Sequence, residues 1–148
     1  MSKTIKILLT LFVAGVVIGI GVYRYTFYKP HRNLTGEKPV AKLEATALMA
    51  AFEANDSLAN ATYLDKAVEV TGIIGEVTPN GNTFTINLKV EGVDFGGIKC
   101  TLEDAEAPKT NGLKPGQTIS FKGQCTGWIN DVDLGMKEVS LTRCVLVE

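Results

Sequence analysis

The residues able to do covalent or metal chemistry are few and far apart: three cysteines, Cys100, Cys125 and Cys144, and one histidine, His31. A thiol with an imidazole base would make a nucleophile, and cysteines and histidines at short spacing would hold zinc. Neither pattern is present, because no two cysteines are close in sequence and His31 lies far upstream between Lys29 and Arg32. His31 therefore reads as a solvated residue. The chain also lacks a phosphate loop and an H-E-x-x-H pair. The expectation is a protein that binds rather than catalyses, with no metal and no cofactor.

The remaining chemistry is recognition. Phe84, Phe95 and Trp128, with Lys89 and Lys99, are the residues that could stack on a ligand or meet an anion. Phe84 fits a core position better, whereas Trp128 shares its stretch with Asn130, Asp131 and Asp133 and is expected in an exposed loop. Those acids do not have the spacing of an EF-hand and suit a solvated turn. Charge limits the ligand. The 148 residues hold 15 Lys and Arg against 16 Asp and Glu, but residues 1–33 carry five of the cations and no acid. From residue 34 onward the balance is 10 against 16, or −6. An acidic body disfavours phosphate-rich partners, whose affinity rests mostly on cationic neutralisation.

The basic head brackets an apolar run. Ile7 to Tyr23 is 17 residues without a charge, at the short end of what crosses a bilayer as a helix, with Thr10 the main polar interruption. Lys3 and Lys6 before it, and Tyr23, Arg24, Tyr25, Phe27, Tyr28 and Lys29 after it, are the residue types that settle at a membrane interface. No small-x-small site follows the run, which favours an uncleaved, single-pass anchor over a signal peptide. The body is expected on the periplasmic or extracytoplasmic side, although both flanks are basic and charge alone does not orient the helix. Gly15 and Gly19 would permit close helix approach and a homodimer, but glycine is common in such helices anyway.

Three regions follow: residues 1–28 as anchor with flanks, 29–42 as a Pro-containing linker, and 43–148 as the folded domain. Alanine-rich Glu44 to Asn55 reads as a helix with a narrow stripe around Leu48 and Phe52, and Leu58 to Tyr63 as a further turn. From Lys66 the apolar period changes to two. Strands are expected at Ala67–Val77, Thr83–Val90, Ile98–Leu102, Thr118–Thr126 and Glu138–Val147, with turns at Pro79–Asn82, Gly92–Gly97 and Lys114–Gln117. Asp104–Lys114 is a polar excursion. Five short strands, a break after the third, and glycines in the first give a mainly β fold, a five-stranded OB-type barrel preceded by a short helix and a transmembrane helix.

The stretches Lys66-Ala67-Val68-Glu69-Val70-Thr71-Gly72, Leu113-Lys114-Pro115-Gly116, Lys122-Gly123-Gln124-Cys125-Thr126-Gly127 and Val139-Ser140-Leu141-Thr142-Arg143-Cys144, with Cys100 between, resemble the tRNA_anti-like family of bacterial OB-fold proteins. The membrane segment, Lys29-Pro30-His31-Arg32 and Asn60-Ala61-x-Tyr63 share in the resemblance, which covers nearly the whole chain. It implies an OB fold behind a membrane anchor and brings no established activity.

The cysteines allow two readings. A last hairpin centred between Leu134 and Gly135 would set Cys125 opposite Cys144, within reach of a disulfide, with Cys100 on a neighbouring strand as rival partner. Alternatively all three are buried thiols acting as small hydrophobes. Three functions are consistent with this reading. The first is a membrane-tethered OB module for a protein or small polar ligand in the cell envelope. The second is a cytoplasm-facing binder of single-stranded nucleic acid, and the third a thiol-redox protein.

Overall fold

A computed structural model describes residues 2–27 and 34–147, so the expectations for Tyr28, Lys29, His31 and Arg32 lie outside the described residues. The chain divides between Arg32 and Asn33 into two compact units. The first is a single helix, α1 (Lys3–Phe27), of 25 residues, none with a buried side chain. At 1.5 Å per residue it is about 37 Å long, enough for a bilayer core of about 30 Å. It extends beyond the uncharged run at both ends. The Thr10 hydroxyl donates to the Lys6 carbonyl at 2.5 Å, so the polar interruption is satisfied within the helix. Tyr23 and Phe27, one turn apart, bring their rings to 4.6 Å near its C-terminal end.

The second unit begins earlier than the expected linker boundary. Leu34 is fully buried, and Lys122 donates from Nζ to the carbonyls of Thr35 and Glu37, each at 2.9 Å. The Val40 amide donates to the Ala67 carbonyl at 2.8 Å, after which Ala41–Glu44 forms a short strand, β1. Residues 34–42 are thus tied to the body by backbone hydrogen bonds, which local composition does not reveal. In α2 (Ala45–Ala54) the buried residues Ala45, Leu48, Met49 and Phe52 recur at helical spacing. Asn55 is extended and ends that helix, and its side chain accepts from the Leu58 amide at 3.0 Å to cap α3 (Asp56–Tyr63).

The sheet consists of β1, β2 (Ala67–Asn80), β3 (Thr83–Lys89), β4 (Phe95–Leu102), β5 (Thr118–Asp131) and β6 (Met136–Val147). Six strands form where five were expected, the addition being β1, parallel to the start of β2. The other five close on themselves in the order β2-β3-β4-β6-β5, because β2 also pairs with β5. Closure is possible because β2 changes partner along its length. Residues 67–73 pair with β5 and residues 73–80 with β3. The bend needs small residues: a Cβ on Gly72 would lie 2.9 Å from that of Ala45, and one on Gly75, at the bulge, 2.9 Å from Lys89 Cγ. All pairings in the ring are antiparallel except β4 with β6.

Inside the ring lie Val68, Val70, Ile74, Ile86, Leu88, Ile98, Phe121, Val139 and Leu141, and α2 adds Leu48, Met49 and Phe52 to the same cluster. Each such side chain contributes about 1.5–3 kcal/mol by leaving water. The polar excursion between β4 and β5 contains a 3-10 helix, Asp104–Thr110. It is fastened by the nearly buried Glu106, whose carboxylate accepts from the Leu146 amide and pairs with Lys109, both at 3.1 Å.

Gly123 on β5 has ordinary backbone geometry, yet a Cβ there would meet Cys144 Sγ at 2.5 Å and Leu141 Cβ at 3.2 Å. Gly123→Ala is therefore expected to lose about 1–3 kcal/mol by overpacking in urea unfolding. Gly127→Ala on the same strand, with nothing within 4 Å of its Cβ, should leave the midpoint unchanged or raised. Equal effects of the two substitutions would contradict the packing described.

Candidate functional site

Strand registers bring separate segments together on the outer face of the ring. Glu76 on β2 lies opposite Asn87 on β3, and Asn87 opposite Lys99 on β4. Lys99 neighbours Ser140 on β6, Gly97 neighbours Glu138, and Phe95 neighbours Met136. Met136 and Glu138 in turn face Asp131 and Ile129 on β5. Alternation along each strand sends these residues outward while Ile98, Cys100, Val139 and Leu141 point in. A hollow of about 410 Å³ opens on this face, lined by Glu76, Lys89, Asp94, Phe95, Met136 and Glu138 among others.

Phe95 is 66% exposed at its edge. Its position follows from the next two residues, Gly96 and Gly97, whose φ values of 107° and 114° lie in the region that L side chains avoid. A Cβ on Gly96 would collide with the Lys137 carbonyl, and one on Gly97 with the Leu88 carbonyl. The backbone of β4 is therefore wedged between β3 and β6 at the point where Phe95 projects. Beyond Met136 the β5–β6 hairpin tip presents Val132 and Leu134, both exposed, and its turn is held by Asp131, which accepts from the amides of Asp133 and Leu134 at 3.1 Å.

Lys99 pairs with Glu138 at 3.6 Å, and Glu138 also accepts from the Ser140 hydroxyl at 3.2 Å. Lys137, on the opposite face of β6 by the same alternation, pairs with Glu53 on α2 at 2.5 Å. Of the five recognition residues expected from sequence, the structure brings Lys89 and Phe95 into the hollow and seats Lys99 beside it through Glu138. Phe84 is half-buried against the core, as expected. Trp128 is not in a loop. It lies within β5, half-buried, with its ring stacked on Phe52 at 5.7 Å and 23°. The strand continues through Asn130 to Asp131, so Trp128 supports α2 rather than presenting a free aromatic face. Glu138 was legible only as the first residue of the expected last strand, and Met136 fell before it, because β6 starts two residues earlier.

The cysteine register also differs from expectation. Leu141, not Cys144, stands opposite Cys125, because a tip centred nearer Asp133 and a register shift between Cys125 and Gly127 displace the pairing. Cys144 lies beside Leu102 on β4, and its thiol interacts with that of Cys100. The three are buried free thiols. Burial raises the Cys125 thiol above its ordinary value of 9.0, despite a hydrogen bond from Gly127 that lowers it. Burial raises Cys144 well above 9.0, and hydrogen bonding with Cys100 adds to the effect. Such thiols are poor nucleophiles. Among the described residues, no group of three or more His, Cys, Asp or Glu could hold a metal ion.

A five-stranded ring closed in this order, with one parallel pair and a bent first strand shared between two neighbours, defines an OB-fold protein. The chain belongs to the tRNA_anti-like family, whose model matches residues 1–138. Among solved structures, it is similar to a proposed nucleic acid-binding lipoprotein from Klebsiella pneumoniae, at 18% identity and a TM-score of 0.52, covering 72% of this chain and 91% of that one. Weaker likenesses include the OBody AM3L09 bound to hen egg-white lysozyme (12% identity, TM-score 0.41, 57% and 84% covered). Another is the Stn1-Ten1 complex of S. pombe (7% identity, TM-score 0.37, 55% and 58% covered). At these identities the likeness is one of fold. No curated protein matches the sequence.

The raised thiol values make stability depend on pH with a definite sign. The unfolded chain ionises these cysteines near 9.0 while the folded chain holds them neutral, so stability is fully present below pH 9 and falls as pH rises beyond it. Cys144 alone adds a slope of at most about 1.4 kcal/mol per pH unit. Urea midpoints measured from pH 7 to 10.5 should fall above pH 9, and Cys144→Ala should flatten that fall. An unchanged slope in the variant would contradict the assignment.

Proposed function

We propose that this protein is a membrane-tethered OB module that holds a protein or a small polar ligand on the outer face of its ring. The observation that carries this reading is the hollow edged by exposed Phe95, whose neighbouring cation Lys99 is already paired with Glu138. An exposed aromatic at the edge of a preformed hollow is a contact residue without an internal partner. The length and apolar character of α1 support the tether, and an extracytoplasmic position for the body goes with it. Among the described residues, no catalytic constellation supports an enzyme. The redox reading is weakened by the burial of all three thiols.

The nucleic-acid reading draws support from the fold and from what the Klebsiella structure is named for. Against it stands the −6 balance of residues 34–148. Anisotropy of a labelled single-stranded oligonucleotide with the full chain in detergent separates the two. No binding beyond the weak non-specific range is expected at physiological salt; micromolar or tighter binding with a steep salt slope would establish the alternative.

The tether has its own test. The full chain should stay in the membrane pellet through alkaline extraction, and a variant lacking residues 2–27 should appear in the soluble fraction. Because the native thiols are buried, orientation is read from Asn82→Cys in the exposed β2–β3 turn. A membrane-impermeant maleimide should label it in intact cells. Labelling only after permeabilisation would place the body in the cytoplasm.

A further inference from the structure

We infer that the outer-face hollow takes a lysine- or arginine-bearing segment of a partner protein. This rests on the reading of that face as the binding surface and names the chemistry of its occupant. Four carboxylates stand in or beside the hollow: Glu76, Glu138 and Asp94 line it, and Glu91 lines the adjoining depression on the same side of Lys89. Glu138 is neutralised by Lys99. Among the described residues Glu76, Glu91 and Asp94 form no salt bridge, and Lys89 is the single cation lining either depression. The local charge is thus negative around an exposed aromatic ring.

That combination selects for a cation. A guanidinium or ammonium is attracted to the face of Phe95 and to a carboxylate at once, whereas a phosphate meets two or more uncompensated negative charges. The surroundings favour a peptide over a small free cation. Met136, Val93 and Val90 line the same hollow, and Val132 and Leu134 extend the apolar surface at the hairpin tip, so a segment with apolar residues flanking its cation finds contacts on both sides. Gly96 and Gly97 hold the ring in place without a lid, which leaves an extended segment free to lie across β4.

The test uses the full chain in neutral detergent and fluorescein-labelled peptides that alternate leucine with arginine, with glutamate, or with serine. The arginine peptide should bind, the other two at least tenfold more weakly, and added salt should weaken it. Phe95→Ala should reduce affinity by about two- to fivefold, the range of an exposed cation–π contact. Glu76→Gln with Asp94→Asn should reduce it further, without a change in urea midpoint. Equal binding of the three peptides, or arginine-peptide binding indifferent to these substitutions, overturns the inference. Binding of spermidine with the same affinity as the peptide also overturns it, by assigning the site to a small cation. A single-stranded oligonucleotide whose binding is lost in Phe95→Ala would overturn the cationic occupant while keeping the face as the site; an oligonucleotide bound independently of Phe95 would overturn both.

Discussion

Everything in the body depends on β2 pairing with two partners. Its first half is bound to β5 and its second half to β3, with the exchange at Ile73 and a bulge beside Gly75. Without that exchange the strands would form an open sheet with two unpaired edges. With it, the ring has no free strand edge along its β2–β5 seam, and the apolar alternation of five strands converges on one interior. The absence of a side chain at Gly72 lets α2 sit against the bend through Ala45, so the helix adds Leu48, Met49 and Phe52 to the same core. The clip from Lys122 to the carbonyls of Thr35 and Glu37 extends the closure backward to the segment that leads into β1.

The proposed binding face is a by-product of the same closure. Phe95, Met136 and Ile129 come from three strands, and only the parallel β4–β6 pairing and the β5–β6 hairpin set them side by side. What distinguishes this face from one suited to a phosphate backbone is the state of its charges. Lys99 is answered by Glu138 on the neighbouring strand. Glu76 and Asp94, which line the hollow with the exposed ring, form no salt bridge among the described residues. The fold that hosts many nucleic-acid binders here presents an electrostatic surface of the opposite kind, which is why fold and ligand have to be argued separately.

The three thiols show a similar division. Cysteine spacing suggested a cross-strand pair between Cys125 and Cys144, but a hairpin tip nearer Asp133 and a bulge between Cys125 and Gly127 shift the partner of Cys125 to Leu141. A bulge inserts one residue into one strand, and no local signal marks where it falls. Arg143, with φ of 54°, is where β6 departs from regular geometry and turns Cys144 toward Cys100. Burial then holds the thiols protonated, which is a packing outcome rather than a property of the residues.

The sequence by itself determined the uncharged run that becomes α1, the helical stripe of Leu48 and Phe52, the alternation that makes five strands, and the acidic balance of the body. These are periodic or compositional properties, and each residue reports its own share. Phe84 as a core residue and Phe95 and Lys89 as candidates for contact were legible on the same basis. Tertiary structure decided β1, the register of the last hairpin, the seat of Trp128 against Phe52, and which lysines are spent on glutamates. Those depend on pairs of residues up to 84 positions apart, as between Glu53 and Lys137, and a contact across such a distance exists only once the ring has closed.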